Sequence, residues 1–260
     1  MNNYFDLYVC PNCKGKLQQK SQVLHCYECR RDYPLDRDMP DFLLVQPQES
    51  TNPFLHGFGK ILAPIYESPI WFPIALKLLG GWDAPSLKDI NKLVYDKMSS
   101  VEGVILDVAT GTGTLGRHIA GTGRIVYGID ISWEMLRKGH DYTKSEGVQN
   151  MEFARADGES LPFGNCVFDG CLLCGCLHIF PDTHKILTEV GRTLKPGAPV
   201  VVTTVIHGEK GIYSNHQRKP KNMKIFDIQE LKKSVYDAGF EHFEPQAHGC
   251  LLIFTMRKEA

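Results

Sequence analysis

Four of the nine cysteines fall in two pairs of one spacing, Cys10-Pro11-Asn12-Cys13 and Cys26-Tyr27-Glu28-Cys29, with twelve residues between them. A CxxC turn lets two thiolates reach one ion, and two such turns complete the tetrahedral four-sulfur shell of structural zinc, which leaves no open position for water or substrate. Such an ion holds a fold and performs no chemistry. A module of about forty residues buries too little apolar surface to fold without metal-binding energy.

A second set of residues is acidic and glycine-rich. Asp107 is followed by Ala109-Thr110-Gly111-Thr112-Gly113, and Asp130 closes the next apolar run. Glycines at a turn let backbone amides approach a ligand closely, and an acid at the end of the following strand suits a ribose diol. The spacing alone equally suits a dinucleotide dehydrogenase.

Gly103 to Val108 reads as a short buried strand, the run through Ile119 and Ala120 as a helix, and Ile125 to Asp130 as the next strand. Ser132 is placed to cap a helix beginning at Trp133. Leu194-Lys195-Pro196-Gly197 stops a helix before the apolar strand Val200 to Thr204. Asp227 to Ala238 supplies another helix, and two closely spaced runs, Phe240 to Phe243 and Cys250 to Met256, suggest an antiparallel pair.

With these motifs in this order, residues 100 to 257 resemble the class I S-adenosylmethionine-dependent methyltransferases. The resemblance rests on Asp107 within the strand end, the glycine turn, the run Asp130-Ile131-Ser132-Trp133-Glu134-Met135-Leu136, Ala156-Asp157-Gly158 with Leu161-Pro162-Phe163, and the strand Phe168 to Cys174. It implies an α/β fold: a Rossmann-like seven-stranded sheet with helices on both faces, joined to a small N-terminal zinc ribbon. It further implies S-adenosylmethionine as cofactor, with Asp107 near the methionine end, Asp130 on the ribose hydroxyls and Asp157 on the adenine amino group. Further contacts are implied at Ala109, Thr110, Gly111, Gly113, Ile131, Met135, Gly158 and Cys174. The expected organisation is a zinc ribbon over 1–45, a helical linker or substrate-lining segment over 46–99, and the catalytic domain over 100–260. The segment Tyr33 to Leu43 resembles small zinc-ribbon proteins that activate methyltransferases, so the ribbon is expected to dock on protein.

Bulk properties exclude several classes. The formal net charge is −1, and residues 1 to 50 hold six Lys or Arg against seven Asp or Glu, poor footing for a phosphate backbone. No nucleic-acid partner is therefore expected. No run approaches the roughly 18 apolar residues of a membrane span, and the first residues lack a secretory pattern, so the expected location is the cytoplasm.

The methyl acceptor is expected to be a small molecule. After Cys174 the chain reads Gly175-Cys176-Leu177-His178-Ile179-Phe180, a departure from the Asn-Pro-Pro-Tyr run of amine-methylating enzymes and a resemblance to the group that methylates quinones and sterols. His178 is the candidate base or substrate contact, set against a histidine that merely satisfies a loop. Cys171, Cys174, Cys176 and Cys250 read as small apolar fillers, with a thiol pocket for a soft element such as arsenic as the alternative. Two further alternatives are an rRNA guanine methyltransferase, a family that also carries a ribbon, and a cofactor-binding scaffold that activates a partner.

Two segments are open to two readings. Phe54, Phe58, Tyr66, Trp71, Phe72 and Trp82 either line a pocket or join ribbon to catalytic domain. The sequence from His207 to Lys224 holds five Lys or Arg against one Glu and reads as a lid or as a solvated loop.

Overall fold

A computed structural model describes residues 4–43, 67–68, 71–82, 84–209, 212–213 and 223–260. Phe54, Phe58, Tyr66 and the basic residues Lys210, Arg218, Lys219 and Lys221 lie outside that set.

The N-terminal module is a four-stranded antiparallel sheet in sequence order, β1 (Leu17–Lys20), β2 (Val23–Cys26), β3 (Asp32–Asp36) and β4 (Met39–Pro40). Alternation places Leu24, Cys26 and Tyr33 inward, and these strands are too short to bury a core of their own. Instead Tyr8, Leu24, Tyr33 and Phe42 join one apolar cluster with Tyr127, Phe163 and Phe168 of the larger unit. Tyr8 stacks on Phe163 with ring centroids 5.1 Å apart, and Tyr127 meets Tyr8 edge-on at 5.5 Å. Each such buried aromatic contributes roughly 1.5–3 kcal/mol, so the module is held by the sheet it covers.

Two helices lead into that sheet. Helix α1 (Trp71–Gly80) carries Pro73 in its first turn, where a missing amide hydrogen costs nothing. Helix α2 (Leu87–Met98) starts at a Ser86–Asp89 capping box and buries Ile90, Val94 and Met98 at helical spacing.

The main sheet has seven strands in the order β10-β11-β9-β8-β5-β6-β7. They are β5 (Val104–Val108), β6 (Ile125–Asp130), β7 (Met151–Arg155), β8 (Gly170–Cys174), β9 (Pro199–Val205), β10 (Phe240–His248) and β11 (Leu251–Lys258). Strands β5 to β9 are parallel and read as apolar runs because both faces are covered, while β11 and β10 are antiparallel. The intervening helices are α3 (Thr114–Ala120), α4 (Trp133–Glu146), α5 (Thr183–Thr193) and α6 (Ile228–Asp237).

Strand order reverses at β5: β6 and β7 run to one side, and β8 returns on the other. The crevice beyond the carboxyl ends of β5 and β8 is where such sheets bind ligands. Strand β7 would be an open edge, but Asp41 bridges Arg155 in parallel and the Phe42 amide donates to the Arg155 carbonyl at 2.7 Å. The end of the N-terminal module thereby closes the edge.

Candidate functional site

The glycine turn leaves β5 through Ala109 and Gly111, both left-handed at φ 53° and 59°, and enters α3 through Gly113 at φ 77°. A side chain at Gly113 would strike Met151 Cε at 2.8 Å, so glycine is required there by space as well as by conformation. Ala109 adopts the same backbone region with a Cβ, a strained choice for a residue other than glycine.

Asp107 is buried at the end of β5, and its Oδ2 accepts from Thr110 Oγ1 at 2.5 Å. Burial raises its carboxyl to about 7, with the neighbouring Asp130 charge adding to the shift. Asp130 ends β6; its Oδ2 accepts from the Gly111 amide at 2.9 Å and its Oδ1 from the Ser132 amide at 2.8 Å. Burial raises this carboxyl too, against the pull of those amides. Neither acid has an ion-pair partner among the described residues, so the site offers two carboxylates to something bearing hydroxyls and positive charge, while the Thr110, Gly111 and Gly113 amides hold the turn itself together.

The remaining expected residues lie around these two. Ser132 caps α4 by accepting from the Met135 amide at 3.3 Å, which sets Met135 on the first turn just past Ile131. Asp157 is exposed after β7, where its Oδ1 accepts from the Glu159 amide at 2.9 Å, and Gly158 behind it is buried against Phe180 and Ile186. Cys174 ends β8 half-buried beside β9; burial and the Asp107 charge push its thiol up to about 12.

His178 sits in a short 3-10 turn, Leu177–Ile179, with Nδ1 3.4 Å from Thr204 Oγ1. Burial lowers it to about 4, so it is neutral at pH 7. Cys171 and Cys176 are fully buried, point at main-chain carbonyls and are held protonated by burial.

The four N-terminal cysteines converge: their sulfurs all lie within 4.8 Å of one another, with Cys10 3.5 Å from Cys29 and Cys13 3.5 Å from Cys26. Four sulfurs at zinc–sulfur bond length in a tetrahedron stand about 3.8 Å apart, so the cluster fits that ion. The Tyr33 hydroxyl is 3.1 Å from Cys10 Sγ, a donor for a thiolate.

Sequence reasoning missed Glu67. It accepts from Thr112 Oγ1, from Thr114 Oγ1 at 3.0 Å, and from Arg117 Nη2 at 2.7 Å, which pins the connecting segment to the glycine turn. A lone acid 45 residues from its partner carries no spacing signal. Trp82, expected either as pocket wall or as interface, is 86% exposed, with Lys77 Nζ 5.0 Å from its ring.

Comparison with known proteins bears on the family and the fold. The methyltransferase-domain family model matches residues 105–197. An uncharacterized chloroplastic methyltransferase of Arabidopsis thaliana is 22% identical over 97% of this chain and 78% of its own length. The demethylmenaquinone methyltransferase of Lactococcus lactis is 30% identical over 197 residues, 65% of this chain and 75% of that enzyme. The chain belongs to the class I S-adenosylmethionine-dependent methyltransferases. Among solved structures, the cyclase SpnF superposes on this methyltransferase with a TM-score of 0.63 at 20% identity, covering 79% of this chain and 96% of that one, a likeness of fold alone. Among the described residues of this methyltransferase, no helix is long and apolar enough to cross a membrane.

Proposed function

We propose that this methyltransferase acts on a small-molecule acceptor and that its N-terminal cysteines hold one structural zinc. The carrying observation is the pair Asp107 and Asp130, two desolvated carboxylates joined through the Gly111 turn with no ion-pair partner among the described residues. When bound, S-adenosylmethionine supplies a methyl group already activated by its sulfonium. The chain's own residues then have to bind, orient and exclude water. In this reading Asp107 with Ala109, Thr110 and Gly111 lines the methionine end, and Gly113 keeps the turn tight. Asp130 and Ile131 hold the ribose, Met135, Asp157 and Gly158 the adenine, and Cys174 forms part of the floor.

His178 is assigned to the acceptor side. A histidine held near pKa 4 takes a proton weakly at neutral pH, so a hydrogen-bond contact suits it better than the role of general base. Residues 1–45 act as the ribbon, 46–99 as the connecting segment and 100–260 as the catalytic unit.

The kinship with a demethylmenaquinone methyltransferase supports a small acceptor, and the acidic balance of the ribbon speaks against an RNA grip. Protonated, carbonyl-bonded Cys171 and Cys176 speak against soft-element chemistry, which needs thiolates. Incubation with isotopically labelled S-adenosylmethionine, small-molecule extract and rRNA tests the reading: label is expected in the extract, and label in rRNA would reverse it.

A further inference from the structure

Lys14 directly follows the second cysteine of the first knuckle, and its amide closes that knuckle by donating to the Cys10 carbonyl at 2.7 Å. A left-handed backbone at φ 59° turns its side chain away from the sulfurs and toward the catalytic unit. There Nζ donates to the Leu161 carbonyl at 3.0 Å and stands 3.5 Å from Glu189 Oε1. That same Glu189 oxygen accepts from the Leu161 amide at 2.8 Å and from Arg192 Nη2 at 2.7 Å, and Arg192 Nη2 also reaches the Leu161 carbonyl at 3.3 Å, so Lys14 adds the ribbon's hold to an anchorage of Leu161 that Glu189 and Arg192 share.

The adjoining residues are held in the same way. The Val9 amide donates to the Pro162 carbonyl at 2.9 Å, and Arg192 Nη1 to the Phe163 carbonyl at 2.8 Å. At the other end of the segment, Asp41 of the ribbon pairs with Arg155 at 3.1 Å, whose Nε donates to the Ile131 carbonyl at 2.9 Å. The knuckle and the ribbon's last residues thus grip residues 155 to 162 from both ends. Between the grips lies the loop carrying Asp157 and Gly158, with no slack: a Cβ at Gly158 would stand 2.9 Å from both Phe180 and Ile186.

We infer that Lys14 is a positioning residue for the Asp157–Gly158 loop and that metal in the four-cysteine cluster, by fixing the knuckle that aims Lys14, sets the affinity for the cofactor. This rests on the proposed reading of that loop as the adenine contact. The Lys14 side chain is 43% exposed, so its pairing with Glu189 contributes little by itself. Its weight comes from acting together with the other ribbon contacts, all of which depend on the same fold.

The test is calorimetry with S-adenosylhomocysteine on the zinc-loaded chain, on its Lys14→Met, Lys14→Arg and Asp157→Ala variants, and on protein stripped by a chelator. Lys14→Met is expected to keep its zinc and weaken binding about two- to fivefold, with most of the loss restored in Lys14→Arg. Metal-free protein is expected to bind at least about tenfold more weakly, the equivalent of little more than one net hydrogen bond. Lys14→Met binding as tightly as the parent while Asp157→Ala binds weakly overturns the inference. Unchanged affinity in both variants overturns the assignment of the loop itself, and the inference with it.

Discussion

The Gly111 amide donates to Asp130 Oδ2 at 2.9 Å, so the glycine turn after β5 and the acid ending β6 form one unit. Asp107 lies on the other flank of that turn, bonded to Thr110, and the Asp130 charge adds to the cost of ionising it. Both flanks bear on how binding and stability respond to pH.

Asp107 is near pKa 7 in the folded chain, against an ordinary value of 3.8. Its neutral form is the one folding favours, so its stabilising contribution is complete below pH 4 and is lost as pH rises through 7. Glu152, also raised to about 7, acts with the same sign, so the comparison with Asp107→Asn isolates the Asp107 share. Ligand-free Asp107→Asn protein should show a shallower decline in denaturation midpoint between pH 4 and 7. If Asp107 binds the cofactor as proposed, its carboxylate is the binding form, and parent affinity should climb up to about tenfold per pH unit below 7 and level off above it. A variant slope equal to the parent's would remove Asp107 from this account.

Ala109 holds a left-handed backbone at φ 53° that glycine adopts freely. Ala109→Gly should raise the thermal midpoint or leave it level, while Ala109→Val, with a branched Cβ in that region, should destabilise by about 1–3 kcal/mol. Thermal melts of the two variants check this; equal behaviour would mean that the turn relaxes without cost.

Much of this site was legible in the sequence because its signals are local. The knuckles, the glycine turn and Ser132 as a cap all act within a few residues, and the antiparallel final pair followed from its short connection. Strand β10 runs to His248, beyond the expected Phe243, because its far half is an exposed edge with no apolar alternation to read. Glu67 on Arg117 and Lys14 on Leu161 could not be foreseen, since tertiary packing brings those pairs together from 50 and 147 residues apart. The ribbon was expected as a docked element, but its merging into the core of the sheet depends on Tyr8, Phe42 and Phe163 meeting in space.

Arg117 is 5% exposed and pairs with both Glu67 and Glu146. Glu67→Ala leaves it with one acidic partner beside the Thr112 carbonyl and takes the shared acceptor from the hydroxyls of Thr112 and Thr114, so a loss of about 1–3 kcal/mol is expected. For a chain of this size that is roughly a 2–12 °C fall in midpoint. Calorimetric melting measures it, and an unchanged midpoint would show that the connecting segment is not anchored there.

The purified chain should carry about one zinc, and Cys10→Ser with Cys29→Ser should release it and expose the first forty-odd residues to protease. Elemental analysis and limited proteolysis together check this. Protein isolated without chelator and free of zinc would contradict the ribbon.

The most direct test of the central claim is calorimetry of S-adenosylmethionine and S-adenosylhomocysteine on the parent chain and on Asp130→Ala. Both ligands are expected to bind the parent, and the variant is expected to lose about 1–3 kcal/mol with each, because a desolvated ribose loses its acceptor. Equal affinity in parent and variant, or a preference of the parent for a nicotinamide cofactor, would contradict it.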